Sequence, residues 1–208
     1  MPCGRRMLAS AAMSTAAPAP EIRSNPLPYE ALLDPRPRES VDLAVIHCTE
    51  LPDLASAREY GEKVLYESGT GNSGHWYIDR DGRIECWVNP ERAAHHVRGK
   101  NAHSVGIELV NLGRWPDWLD SRRQTMAEPY PEAQIRALVA LLRWLPGPLP
   151  MLRLVAGHED LDLEHVPASD DPGKRVKRKL DPGPLFPWER VLALSLIHIS
   201  EPTRPRLI

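Results

Sequence analysis

Cysteine is scarce in this chain. Cys3, Cys48 and Cys86 are an odd number of thiols, which gives no disulfide framework, and a reducing compartment is the easier setting for them. No apolar run approaches the ~20 residues that a membrane-spanning helix needs. Neither sign of charge is in excess: the formal net charge is −2, so nothing points to nucleic acid or to an anionic membrane as a partner. Internal repeats are absent. Core-forming material is thin in the first forty residues. What remains, in a chain of 208 residues, suits one domain with extensions, large enough to bury a real core.

Residues 1–40 read as an N-terminal extended arm, with a disordered leader at its start. Arg5 and Arg6 followed by Met7–Met13 have the layout of a short signal peptide ending near Ala16-Ala17. That run is Ala-rich and barely hydrophobic, so a leader with Met13 as an equally good initiator is the simpler reading. Pro26, Pro28, Pro35 and Pro37 keep the following stretch extended.

Val41–His47 is apolar and β-branched and reads as a buried strand with His47 at its end. Leu54–Tyr66 has near-helical apolar spacing. Gly69–Gly74 is a loop. Trp76–Ile78, the Asp81-Gly82 turn and Ile84–Val88 form a β-hairpin. Ser104–Leu109 is a further strand. Glu132–Leu145 is the clearest helix, with Ile135, Leu138, Val139, Leu142 and Leu145 on one stripe, ended by Pro146-Gly147-Pro148. Leu152–Ala156 is a strand that delivers His158, and Pro187–Leu192 a short closing helix with proline at its start.

Three short stretches carry chemistry: Val45-Ile46-His47-Cys48-Thr49, Ala156-Gly157-His158-Glu159 and Lys179-Leu180-Asp181-Pro182-Gly183-Pro184. Two imidazoles and a carboxylate make an N,N,O set that suits Zn2+ and leaves a fourth tetrahedral position for water. Prolines around Asp181 restrict its backbone. If residues 179–181 are extended, Lys179 points to the same side as Asp181 and faces developing negative charge. Cys48 alternates away from His47 and reads as core.

These stretches, with Ser104-Val105-Gly106-Ile107-Glu108, His75-Trp76-Tyr77-Ile78-Asp79-Arg80-Asp81-Gly82 and Ala94-His95-His96-Val97, come in an order that resembles the zinc-dependent N-acetylmuramoyl-L-alanine amidases, over roughly residues 41–193. That family also holds phage amidase-type lysozymes and the peptidoglycan recognition proteins. The resemblance implies an α/β fold, a central mixed β-sheet flanked by helices in a single domain. It implies Zn2+ on His47, His158 and Asp181, with Glu108 as general base and Lys179 steadying the oxyanion. It implies peptidoglycan or a muropeptide as substrate, cut between N-acetylmuramic acid and L-alanine. His96 falls where the family has a pocket histidine and His95 where relatives often carry an aromatic. Both are expected to line the substrate groove, and His75 to bind or pack beside it. The alternative is a recognition module that holds peptidoglycan without cutting it. The setting is cytoplasmic, or periplasmic if residues 1–17 act as a signal peptide.

Two polar insertions depart from the family pattern. Gly113–Tyr130 carries Trp115 and Trp118, which can stack on sugar rings or pin the loop to the core. Between His158 and Asp181 the chain is longer than the family's compact spacing, acidic first and basic after. It holds a competing carboxylate in Asp171-Pro172-Gly173-Lys174, but Asp171 has Ser169, not lysine, two residues before it. Residues 194–208 resemble translated transposon-end adapter sequence and read as a non-native tail, so His198 is no ligand candidate. His103 and His165 have no assigned role.

Overall fold

A computed structural model describes residues 17–195. The signal-peptide reading of the first residues, and the tail from 196 onward with His198, lie outside the described residues. In chain order the strands and helices are β1 (Ile22–Ser24), β2 (Leu43–Cys48), α1 (Leu54–Gly61), β3 (Trp76–Ile78), β4 (Ile84–Cys86), β5 (Ser104–Leu109), α2 (Glu132–Trp144), β6 (Leu154–Gly157), α3 (His158–Leu161), β7 (His165–Pro167), β8 (Arg175–Lys177) and α4 (Trp188–Ser195). Six strands make one mixed sheet in the order β1-β4-β3-β5-β2-β6. The β3–β4 hairpin is antiparallel, and the other neighbouring pairs run parallel.

Side-chain alternation divides the sheet's two faces. Ala44 and Ile46 of β2 and Val105, Ile107 and Leu109 of β5 pack with Ile135, Leu138, Leu141 and Leu142 of α2 and Val191 of α4. Burying each of those leucines and isoleucines stabilises the fold by about 1.5–3 kcal/mol, and the continuous α2 stripe explains why this helix was legible in sequence. The opposite face of β2 and β5 carries Leu43, Val45 and His47, and Ser104, Gly106 and Glu108. Tyr77 and Trp87 stack on the α1 side of the molecule, with ring centroids 3.4 Å apart.

The structure departs from the sequence expectations at several ends. The arm is not separate from the domain. β1 pairs with β4, and Leu27, Tyr29 and Leu33 are buried against Leu51, Ala57 and Trp87. A three-residue strand followed by two short 3-10 turns, Glu30–Leu32 and Arg38–Ser40, has no periodicity to announce it. α1 starts at the expected place, where the Asp53 side chain accepts the Ser56 amide, but stops at Gly61, five residues early. Val64, Leu65 and Tyr66 are exposed, so their apolar spacing had no core behind it. α4 runs past the expected helix end at Leu192 to Ser195, which is buried. The 159–178 insertion holds an unexpected two-stranded hairpin, β7 with β8.

Candidate functional site

Parallel strands bring the site together at their C-terminal ends, where α/β sheets commonly place ligands. β2 and β5 set His47 directly beside Glu108, and β3 sets Tyr77 on the other side of Glu108. β6 ends at Gly157, and the next residue is His158. Asp181 arrives from far along the chain. Its carbonyl accepts the Glu159 amide at 2.9 Å, and the hydroxyl of Tyr130 donates to the Pro182 carbonyl at 2.6 Å. The segment is thus tied both to α3 and to the loop before α2.

His47 Nδ1 lies 2.9 Å from Asp181 Oδ2, and His158 Nδ1 lies 3.1 Å from the same oxygen. Donor atoms of the three residues all fall within 4.8 Å of one another, and all three side chains are buried. Asp171 is not among them; it pairs with Lys174. Neither is Cys48, which is buried with its thiol pushed well up by burial.

The hydrogen-bond chain behind His47 decides its tautomer. Ser104 Oγ donates to the Lys100 carbonyl (2.9 Å), so it accepts from His96 Nε2 (3.1 Å). His96 Nδ1 is then an acceptor and takes the proton of His47 Nε2 (3.0 Å). His47 Nδ1 is left as a bare lone pair facing a carboxylate oxygen. Two acceptors in contact repel unless a cation joins them. Burial pushes His47 down to about 4, against the pull of Asp181. Burial also works to raise the Asp181 carboxyl, yet the neighbouring His158 and His47 hold it well below the usual range. His158 Nε2 and Asp181 Oδ1 are buried without hydrogen-bond partners. Converging N,N,O donors with unmet bonding capacity are what a metal ion requires, so these residues fit one.

Glu108 and Lys179 both line a cavity of about 730 Å³ that opens over the cluster. Glu108 packs on Gly74, where a Cβ would stand 2.7 Å from its Cγ, so the end of the predicted loop fits closely against it. Burial first, then the Asp181 carboxylate, pushes Glu108 up to about 8, with Lys179 opposing. This has a measurable consequence in metal-free protein. Between its ordinary value of 4.5 and about 8, the unfolded chain has released a proton that the native state keeps. The unfolded state therefore binds fewer protons, and Glu108 makes stability fall as pH rises through that window. Other groups titrate there too, so the comparison is with Glu108→Gln. The variant is expected to gain stability over the parent between about pH 5 and about pH 8 in urea unfolding. Parallel pH profiles for the two proteins would mean that Glu108 ionises normally.

The three remaining histidines divide. His95 lines the cavity, its ring 5.0 Å from that of Tyr66. His96 also lines it, but both its nitrogens are spent inside the protein, and Gly106 makes room for its ring: a Cβ there would lie 2.7 Å from His96 Cγ. His75 does not line the cavity; of the two expectations for it, packing beside the groove matches its position and direct substrate binding does not. It is fully buried. Its Nδ1 accepts the Gly106 amide at 3.0 Å, and its Nε2 donates to the Arg92 carbonyl at 3.0 Å. A histidine beginning a strand gave no sign of which face it would take. Sequence reasoning also missed Glu50 and Arg114, a buried ion pair in the cavity wall with Arg114 Nε 2.7 Å from Glu50 Oε1. Their sequence separation of 64 leaves no local signal. Of the two insertion tryptophans, Trp118 lines the cavity and donates through Nε1 to the Glu50 carbonyl (3.1 Å), whereas Trp115 is exposed.

The family described as N-acetylmuramoyl-L-alanine amidase matches residues 37–184. The chain belongs to that family. Among curated relatives it is 31% identical over 126 residues to the 1,6-anhydro-N-acetylmuramyl-L-alanine amidase AmpD of Enterobacter cloacae, covering 56% of this chain and 54% of that protein. It is 34% identical over 91 residues to the N-acetylmuramoyl-L-alanine amidase AmiD of Escherichia coli, covering 44% of this chain and 27% of that one. The chain thus spans about half the length, or less, of these relatives. A crystal structure of selenomethionine AmpD superposes with a TM-score of 0.62 at 26% identity, over 84% of this chain and 94% of that one. The structure of AmiD from E. coli with anhydro-N-acetylmuramic acid-L-Ala-D-γ-Glu-L-Lys superposes with a TM-score of 0.56 at 26% identity, over 76% of this chain and 58% of that one. The sheet and helices expected for an amidase domain are therefore those observed. Among the described residues no helix is long and apolar enough to cross a membrane.

Proposed function

We propose that this chain is a zinc-dependent hydrolase of the amide between N-acetylmuramic acid and the L-alanine of a stem peptide, acting on peptidoglycan or muropeptides. The observation that carries it is the convergence of His47 Nδ1 and His158 Nδ1 on Asp181 Oδ2, under a cavity that Glu108 and Lys179 share. His47, His158 and Asp181 would hold the metal. Bound there, zinc supplies a water of lowered pKa and a Lewis acid for the scissile carbonyl.

The chain's own groups do the rest. Glu108, as carboxylate, takes the proton of the attacking water and returns it to the leaving amine of L-alanine. Burial that raises Glu108 in the metal-free protein strengthens it as a base once its proton is lost. Lys179 offers an ammonium to the oxygen that gains charge as the carbonyl becomes tetrahedral. His96 holds the tautomer of His47, and outer partners of that kind are typically worth about 10–100-fold in metal affinity. His95 and Trp118 give the cavity wall apolar faces for the substrate. Cys48 and Cys86 are free thiols, which suits a cytoplasmic place of action.

Muropeptides incubated with protein of known zinc content test the reading by mass spectrometry. Release of intact stem peptide with a free L-alanine amine is expected, proportional to zinc occupancy. Muropeptide that binds to the zinc-loaded protein and is recovered uncut would make this a recognition module instead.

A further inference from the structure

The two insertions that depart from the family pattern are bonded to each other. Ser121 donates from its amide and its hydroxyl to the Asp170 carboxylate, at 2.6 and 2.8 Å, and the Ser169 amide donates to the Leu119 carbonyl at 2.9 Å. At the base of this contact lies Arg114, whose side chain is 1% exposed. Glu50 grips it in a two-pronged pair, Nε to Oε1 at 2.7 Å and Nη2 to Oε2 at 2.9 Å. The fork then reaches across to the second insertion. Nη1 donates to the Lys177 carbonyl at 3.1 Å, and Nη2 to the Arg178 carbonyl at 3.3 Å. These are the two residues immediately before Lys179. The side chain of Arg178 is held from the other direction by Asp162 and Glu164.

Glu50 is itself set in place. It follows β2 three residues after His47, takes a left-handed backbone with φ of 50°, and accepts the Trp118 indole on its carbonyl. One line of contacts therefore runs from the end of β2 through Glu50 and Arg114 to the backbone that presents Lys179. A buried ion pair is weak evidence for stability, because desolvation offsets much of its attraction. It is better explained by geometry. Only a guanidinium can pair with both oxygens of a carboxylate and still present donors to two successive carbonyls; a lysine, with three donors, is one short.

We propose that Arg114, clamped by Glu50, is a positioning residue: it holds the backbone of Lys177 and Arg178 and so aims the Lys179 ammonium into the cavity. The long segment after His158 leaves Lys179 at the end of a basic run in which neighbours could compete, and this strut selects it. The inference rests on the role given to Lys179 above.

The test is a double-mutant cycle on the zinc-loaded protein: Arg114→Lys, Lys179→Ala and the double variant, with kcat, KM, zinc content and thermal midpoint measured for each. Arg114→Lys keeps a cation for Glu50 and loses the fork. Its kcat should fall at least about tenfold with KM and zinc content nearly unchanged. In the Lys179→Ala background the same change should cost less than about twofold, because coupled residues are not additive. Should Arg114→Lys fail to fold, Glu50→Gln keeps the shape and weakens the clamp, and its kcat loss should vanish in the same background. An equal loss in both backgrounds, or a lowered midpoint with kcat intact, would overturn the positioning role alone. Normal turnover in Lys179→Ala by itself would remove the role of Lys179 and this inference together.

Discussion

Asp181→Ala is expected to lose stoichiometric zinc and all measurable turnover, while Asp171→Ala keeps both. The sequence offers two Asp-Pro-Gly stretches, and only one reaches the histidines. Asp181 Oδ2 stands 2.9 Å from His47 Nδ1 and 3.1 Å from His158 Nδ1, whereas Asp171 is paired with Lys174 at the surface. Removing a ligand atom should cost more than the roughly 10–100-fold that follows loss of a group one step removed from the metal. Competition with a chromophoric chelator measures the affinity directly, apart from activity. Zinc bound at parental affinity in Asp181→Ala would require another donor set. Loss of zinc in Asp171→Ala would show that the segment rearranges when metal arrives.

The second large effect belongs to the groups that would act on the substrate. Glu108→Gln keeps the packing against Gly74 and removes the base, so kcat should fall by about 10²–10⁴-fold with zinc retained. Lys179→Ala should lower kcat by about 10²–10³-fold, the usual cost of one donor to a developing oxyanion. Neither residue belongs to the three-ligand cluster, so zinc content separates a catalytic loss from a binding loss. If Glu108→Gln turned over near the parental rate with its zinc in place, the proton would be passing through some other group. His96 is a poor substitute, because its nitrogens already bond His47 and Ser104.

The candidate residues stood out in sequence because their neighbours already constrained them. A histidine and a glutamate each sit near the end of an apolar strand, and a lysine stands two residues before an aspartate. Period-two alternation assigns the faces, and Cys48, read as core, is buried and outside the cluster of His47, His158 and Asp181. The stripe on α2 was equally legible, since its apolar residues repeat with the helical period and meet a core. By contrast, the spacing in Val64–Tyr66 was helical with nothing to bury it, and α1 ended at Gly61.

What the sequence by itself determined was therefore the order of the central strands and of α1, α2 and α4, the two faces of those strands, and the residue types available at the C-terminal ends of β2, β5 and β6. Those follow from local steric and hydrophobic rules that act over a few residues. Only the tertiary structure brought Asp181 rather than Asp171 beside the two histidines, buried His75 away from the cavity, gave both nitrogens of His96 to internal partners, and joined Glu50 to Arg114. Each depends on parts of the chain far apart in sequence meeting in a buried, low-dielectric place. There an unpaired charge or lone pair is costly, and its partner is chosen by the packing of the whole domain.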